Sequence, residues 1–303
     1  MNRRYTYRAY DLIFSSELPI PELEVVEALP EVEIILGLVP ISLPAPLGKG
    51  AHFQATPGEF LLRIDDVAGF HVVGGARITI EPFSHPDDPE IRLFLLGSVF
   101  CALLQQRGYL ALHGSAIELC GRGLLFTGRR GAGKSTIAAA FHDKGCRVLT
   151  DDVCAVRLGE DGRPYIVPGF PGLKLWRDSA EKLGRSMDGL APVKRDMEKY
   201  RVGADARYSG ETAVLNKVYV LGSHDAATVE ITRQEGAAKL DALIKNTYRR
   251  RYVEGQGMRA VHFRQCAAVA DRVNVFKVLR PAAGFRLSEL VAAIEENSKD
   301  NGR

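Results

Sequence analysis

Over the first 85 residues the apolar positions come in short runs broken by Pro and Gly, the rhythm of half-buried strands. Residues 5–14 and 59–64 read as strands. Residues 70–73 and 76–80 flank Gly74-Gly75, a hairpin signal because glycine readily adopts the left-handed backbone of a tight turn. Residues 39–58, rich in Pro and Gly, read as loop. A nearly unbroken apolar run follows from Leu93 to Leu104. It is shorter than the roughly 20 residues a bilayer crossing needs. The Asp87-Asp88-Pro89 cluster before it is a helix-start signal, so residues 89–107 are predicted to form a buried helix.

From residue 109 strands and helices alternate. Residues 115–119 and 124–127 read as strands joined by a turn at Cys120-Gly121-Arg122-Gly123. Residues 134–144 read as a helix closed by Gly145 as its C-cap. Residues 147–150 form a buried strand ending at Asp151-Asp152, and 153–158 continue extended to a turn at Glu160-Asp161-Gly162. Residues 214–221 and 273–279 read as strands, and 234–247, 258–269 and 287–296 as helices. This order predicts an α/β fold, with residues 1–85 a β-rich N-terminal region and 86–303 an α/β domain. Residues 297–303 are polar and expected to fray.

Composition narrows the partners. The net charge of +3 is spread along the chain, and no basic stripe with interleaved aromatics suggests nucleic acid. Neither a secretory signal nor a membrane span is evident. The five cysteines form no Cys-x-x-Cys pair and are odd in number. They read as reduced and mostly buried, which places the chain in the cytoplasm.

The chemistry begins at Gly128-Arg129-Arg130-Gly131-Ala132-Gly133-Lys134-Ser135, which fits G-x-x-x-x-G-K-[ST] without mismatch. An apolar strand enters it and a helix-forming run beginning at Thr136 leaves it, the context a phosphate-binding P-loop requires. The glycines let successive N–H groups turn inward on phosphate oxygens, and the helix N-terminus adds partial positive charge. Lys134 reaches the β- and γ-phosphates of ATP, and the Ser135 hydroxyl is a magnesium ligand. Arg129 and Arg130 occupy the free loop positions and contribute backbone contacts first. ATPases, GTPases and kinases all use this motif, so it leaves the reaction open.

Asp151 and Asp152, at the end of the next strand, can bind magnesium, accept a proton from an attacking hydroxyl, or simply form a polar turn. His113 is ambiguous alone. Taken together, His113-Gly114-Ser115-Ala116-Ile117-Glu118, the P-loop with its entering strand, and Gly145-Cys146-Arg147-Val148-Leu149-Thr150-Asp151-Asp152 resemble the C-terminal catalytic domain of HPr kinase/phosphorylase, with matching spacing over about 40 residues. The resemblance implies a P-loop kinase domain of the HPr kinase and phosphoenolpyruvate carboxykinase type. It implies Asp152 as the base for a target serine, His113 beside the reacting phosphate, Lys134 neutralising the transferring group, and Asp151 supporting magnesium or orienting Asp152. The family's downstream E-x-R-G-x-G-x-x-N signature is missing; Pro168-Gly169-Phe170-Pro171-Gly172-Leu173-Lys174-Leu175-Trp176 stands there instead. That segment, with Ser15-Ser16-Glu17-Leu18-Pro19-Ile20-Pro21-Glu22-Leu23, is similar to the HPr-kinase-related kinases of lasso-peptide gene clusters, which phosphorylate a serine of a precursor peptide. The expected function is therefore ATP- and magnesium-dependent phosphorylation of a serine on a protein or peptide, with a regulatory ATPase or a small-molecule kinase as alternatives. The second magnesium ligand and the oligomeric state are left unassigned. Among weaker features, Trp176 reads as a core or loop anchor. Arg249-Arg250-Arg251 and Lys194-Arg195 read as solvated faces, Arg195 lying in a stretch that could close over ATP.

Overall fold

In the computed structural model residues 4–184, 192–194, 197–202, 210–284 and 286–299 are described. Arg195 lies outside them. Residues 5–82 build a nine-stranded sheet. The strand expected over residues 5–14 is instead two strands, Tyr5–Ala9 and Leu12–Ser16, paired antiparallel. Tyr10 and Asp11 turn the chain between them at φ 55° and 57°. Nothing in the residue types announces that turn; tertiary bonds impose it. Tyr10 N–H donates to the Pro168 carbonyl at 2.9 Å, and its hydroxyl to the Val153 carbonyl at 3.2 Å. Glu59–Ile64 matches expectation, and the Gly74-Gly75 hairpin forms between Ala68–Val73 and Arg77–Pro82. The expected loop over residues 39–58 contains two short strands, Gly48–Lys49 and Phe53–Thr56. Val32–Leu36, not anticipated, joins the two halves of the sheet through parallel pairings on both sides.

The predicted buried helix begins as expected. Asp88 caps it, accepting from the Glu90 N–H at 2.9 Å, and Pro89 takes the first helical position. It runs as Pro89–Phe94, one turn of π-helix over Leu95–Val99, and Phe100–Gln106. Its apolar side chains complete the core under the nine-stranded sheet, with Phe14 and Phe100 stacked at 4.9 Å. The same core takes in Ala111, Val153, Ala155, Val167 and Phe170 from the second half of the chain.

In that half two long strands organise everything. Leu110–Leu119 pairs with Val153–Leu158 through its first residues and with Arg122–Gly128 and Arg147–Thr150 through its last. Ala213–His224 pairs antiparallel with Pro164–Val167 at its start, then parallel with Arg122–Gly128 and Asn274–Pro281. The pairings close a ring of five strands. Arg122–Gly128 alternates across its sheet: Leu124 and Phe126 pack toward the helices Lys134–Asp143 and Leu287–Lys299, while Leu125 packs toward Ala237–Lys245 and Arg259–Arg272. The alternation of strand side chains is what gives the sheet two buried faces. Phe141, Phe126, Tyr219 and Phe276 stack in series on the first face, with centroids 5.6–5.8 Å apart, each burial contributing about 1.5–3 kcal/mol. Among the described residues no helix is long and apolar enough to cross a membrane.

Candidate active site

The glycine-rich loop lies between the strand Arg122–Gly128 and the helix Lys134–Asp143, the strand-to-helix placement expected of it. Its glycines are required by geometry. Gly128, Gly131 and Gly133 have φ of 137°, 82° and 100°, a region L-residues avoid. A Cβ on Gly128 would also sit 2.5 Å from the Leu221 carbonyl oxygen. Lys134 is 8% exposed and donates back to the carbonyls of Gly128 and Arg129 at 3.0 and 3.1 Å. It therefore holds the loop closed around the space its ammonium would share with phosphate oxygens. Thr136 is buried in the first helical turn, while Arg129 and Arg130 are exposed. Arg130 lies over the ring of Trp176, 5.3 Å from its centroid. That contact puts the lone tryptophan beside the loop, at the end of the strand Leu173–Trp176.

Both aspartates emerge at the same edge because Leu110–Leu119 lies between the loop strand and Arg147–Thr150. They part there into different environments. Asp151 is 7% exposed, and its Oδ1 accepts from the hydroxyls of Ser115 and Ser135 at 2.6 and 2.9 Å. A buried carboxylate needs such donors, and each charge-assisted bond contributes about 1.5–3 kcal/mol. Asp152 has φ 76° in a tight three-residue turn closed by Val153 N–H to the Asp151 carbonyl at 3.0 Å. This conformation carries the Asp152 carboxylate to within 3.5 Å of His113 Nε2. The structure thus brings His113 and Asp152 together, and Lys134, Ser135 and Asp151 into one loop-and-strand cluster.

His113 is held from several sides. Its N–H donates to the Asn246 carbonyl at 2.8 Å, its own carbonyl accepts from Thr127 Oγ1 at 2.7 Å, and its ring meets Tyr248 edge-on at 5.3 Å. Burial, and secondarily the Asp152 charge, push the Tyr248 phenol well above its usual range, so it stays a neutral hydroxyl. Arg249 is exposed, as the solvated basic face read from the sequence requires, and its guanidinium also lies 5.7 and 6.0 Å from the ring centroids of Tyr248 and Tyr252. Ser115, Thr127, Asn246 and Tyr248 were not predicted as site residues. Ser115 stood inside the resembling segment, and a serine in an otherwise apolar strand was the available signal. Tyr248 had none, because a distant loop delivers it.

Of the five cysteines, Cys101, Cys154 and Cys266 are buried free thiols, Cys146 is half-buried and Cys120 is exposed. Burial raises all three buried thiols, Cys266 to about 12, so none is a nucleophile. Among the described residues no cluster of three or more His, Cys, Asp or Glu forms a metal cage. Magnesium does not need one: it is commonly held by one or two protein oxygens together with phosphates and water, and the adjoining oxygens of Ser135 and Asp151 fit that set.

Beside the loop opens a cavity of about 850 Å³, reaching from His113 past residues 128–132 to the C-terminal ends of the parallel strands Ala213–His224 and Asn274–Pro281. That is where open α/β sheets take their ligands.

No family model matches the chain. It is 44% identical over 45 residues to the HPr kinase/phosphorylase of Chlorobium limicola, a match covering 15% of this chain and 14% of that protein's length. The solved Hpr(Ser) kinase/phosphatase of Coxiella burnetii aligns with 62% of this chain and 90% of its own at 14% identity and a TM-score of 0.32. Over the matched 45 residues the chain is similar to HPr kinase/phosphorylase, which bears out the resemblance read from its sequence.

Proposed function

We propose that the chain is an ATP-dependent serine kinase of the HPr-kinase-like type, transferring the γ-phosphoryl group to a serine hydroxyl of a protein or peptide, a ribosomal precursor peptide such as a lasso-peptide precursor being one such substrate. The observation that carries this reading is the Asp152 carboxylate standing 3.5 Å from His113, one strand away from a P-loop. A carboxylate there can take the proton of an incoming hydroxyl. The hydroxyl oxygen then bonds to the γ-phosphorus as the bond to the bridging oxygen breaks and ADP leaves.

The chain's residues divide the work. The N–H groups of residues 128–136 cradle the phosphates, and Lys134 exchanges its bonds to Gly128 and Arg129 for phosphate oxygens. Ser135 and Asp151 would hold magnesium, with Ser115 fixing the Asp151 carboxylate. Magnesium bound there would neutralise charge on the phosphates. Residues 86–303 form the catalytic domain in this reading, with residues 1–85 packed against it, and the cytoplasm is the compartment where ATP is available to it.

The test is phosphoryl transfer from γ-labelled ATP to fractionated proteins, peptides and metabolites. Asp152→Asn should lower transfer by about 10²–10⁴-fold, the usual contribution of a general base, while ATP binding survives. Label that leaves ATP only for water would sink the kinase reading.

A further inference from the structure

The charged side chains on the wall of the cavity beside the P-loop are all cationic. Arg129, Arg130, Lys245, Lys277 and Arg280 line it, and among the described residues no acidic side chain does. Composition does not produce this, since 40 Lys and Arg stand against 37 Asp and Glu over the whole chain. Lys245 is paired with Asp241 at 2.7 Å, one helical turn back. Arg129, Arg130 and Lys277 have no carboxylate partner among the described residues. Arg280 turns one guanidinium nitrogen onto the Pro281 carbonyl at 3.1 Å.

Two features of place matter. His113 lines the cavity, and its Nε2 lies 3.5 Å from the Asp152 carboxylate. Lys277 and Arg280 lie on a strand two removed from the loop strand, about 10 Å across the sheet at the usual strand spacing. The wall is therefore wider than a phosphate chain held in the loop requires. A cleft lined by one sign of charge concentrates ligands of the other, and arginine pairs with carboxylates through two parallel hydrogen bonds.

We propose that this cavity docks an acidic peptide segment, whose carboxylates pair with Arg129, Arg130, Lys277 and Arg280 and so present a serine of the segment to Asp152. The proposal rests on the serine-kinase reading and adds the class of substrate.

Three single-serine peptides test it, with the serine flanked by Asp and Glu, by Gly and Ala, or by Lys, each also made with alanine in place of serine. Labelling from γ-labelled ATP reports transfer, and fluorescence anisotropy of the alanine versions, with magnesium and a non-hydrolysable ATP analogue, reports docking. The acidic peptide should be labelled at least 10-fold faster than the neutral one and should dock most tightly, its docking weakening as salt is raised. Lys277→Glu and Arg280→Glu should abolish that preference while the KM for ATP stays unchanged, and Lys277→Glu should gain labelling of the Lys-flanked peptide. Equal labelling of all three peptides overturns the proposal and leaves the kinase standing. Docking of the acidic alanine peptide without labelling of any serine peptide keeps the cationic dock and overturns the kinase. A rise in the KM for ATP with the peptide preference intact assigns the wall to the nucleotide and overturns the proposal. So does transfer to a small hydroxy acid and to no peptide.

Discussion

Asp151 and Asp152 are neighbours in the chain, yet their side chains face unlike chemistry, and the difference lies in one backbone angle. Asp152 sits at φ 76°, where an L-residue costs about 1–2 kcal/mol relative to its usual basins. The turn it makes sends Asp151 inward to two serine hydroxyls and Asp152 outward to His113. The sequence could propose either acid as magnesium ligand, base or mere turn residue, because nothing in the order Asp-Asp says which one turns. Strain held at this point predicts a trade. Asp152→Gly should raise unfolding free energy by about 1 kcal/mol, since glycine occupies that backbone region freely, while phosphoryl transfer disappears. Denaturant unfolding and labelled-ATP transfer on the same sample measure the two sides. A glycine variant less stable than the parent would mean the conformation carries no strain. Ser115→Ala works the other way. Removing the Ser115 donor from a buried carboxylate should cost about 1–3 kcal/mol, seen as a lower unfolding midpoint.

At the scale of elements, what was legible is what local physics controls. Arg147–Thr150 and Val153–Leu158 appear with the expected bounds because apolar runs between turn residues leave little choice. The Asp88-Pro89 start follows capping chemistry, and the helix Lys134–Asp143 ends as glycine chemistry requires, although Lys144 is its C-cap and Gly145, expected there, stands one residue on at φ 93°. What escaped depends on distant partners. Tyr10-Asp11 makes a hairpin turn without glycine or asparagine, and Leu110–Leu119 and Ala213–His224 were read at half and two-thirds of their length because each passes from one set of partners to another. The loop that holds His113 is likewise secured from afar. Thr247 Oγ1 lies 2.7 Å from His262 Nε2, one residue on from the Asn246 carbonyl that receives the His113 N–H. Burial, then the charge of Arg250, lowers the His262 pKa from its ordinary 6.5, with Glu254 opposing. The folded state therefore binds a proton less readily than the unfolded chain. Stability is unaffected above about pH 7, falls as pH drops through 6.5, where only the unfolded chain takes up a proton, and levels off below the folded value. Denaturant midpoints between pH 7.5 and 5 should show this loss, and His262→Gln should flatten it. A slope unchanged in the variant would assign the effect to other groups.

Across the whole molecule the strand edge that carries Asp151 and Asp152 shares one interior with the nine-stranded sheet. Phe14 stacks on Phe100, and Tyr10, buried to 1% exposure, packs edge-on to Phe100 and Phe170 and hydrogen-bonds the Val153 carbonyl, one residue from Asp152. Glu22 pairs with Arg92 at 3.1 Å with both side chains largely covered. The apolar helix Phe100–Gln106 needs the sheet to cover it: Phe100, Cys101, Ala102, Leu103 and Leu104 have no measurable exposure. A chain beginning at residue 86 would bare that surface and the Tyr10 site beneath the Asp151-Asp152 turn together. Fully burying a large apolar side chain contributes about 1.5–3 kcal/mol, so exposing Phe100, Leu103 and Leu104 alone would cost an amount comparable to the 5–15 kcal/mol that usually separates folded from unfolded chains. The truncated chain should therefore fail to show a cooperative unfolding transition and should bind a hydrophobic dye strongly, and it should not bind ATP. If residues 86–303 alone unfolded cooperatively and retained transfer activity, the sheet would be a separable module and the shared interior a contact of little energetic weight. A gentler cut gives the same answer without removing the sheet. Tyr10→Phe deletes only the hydroxyl that reaches Val153, so it should leave the sheet folded and shift the transfer rate by weakening the support under Asp152, with the KM for ATP unmoved.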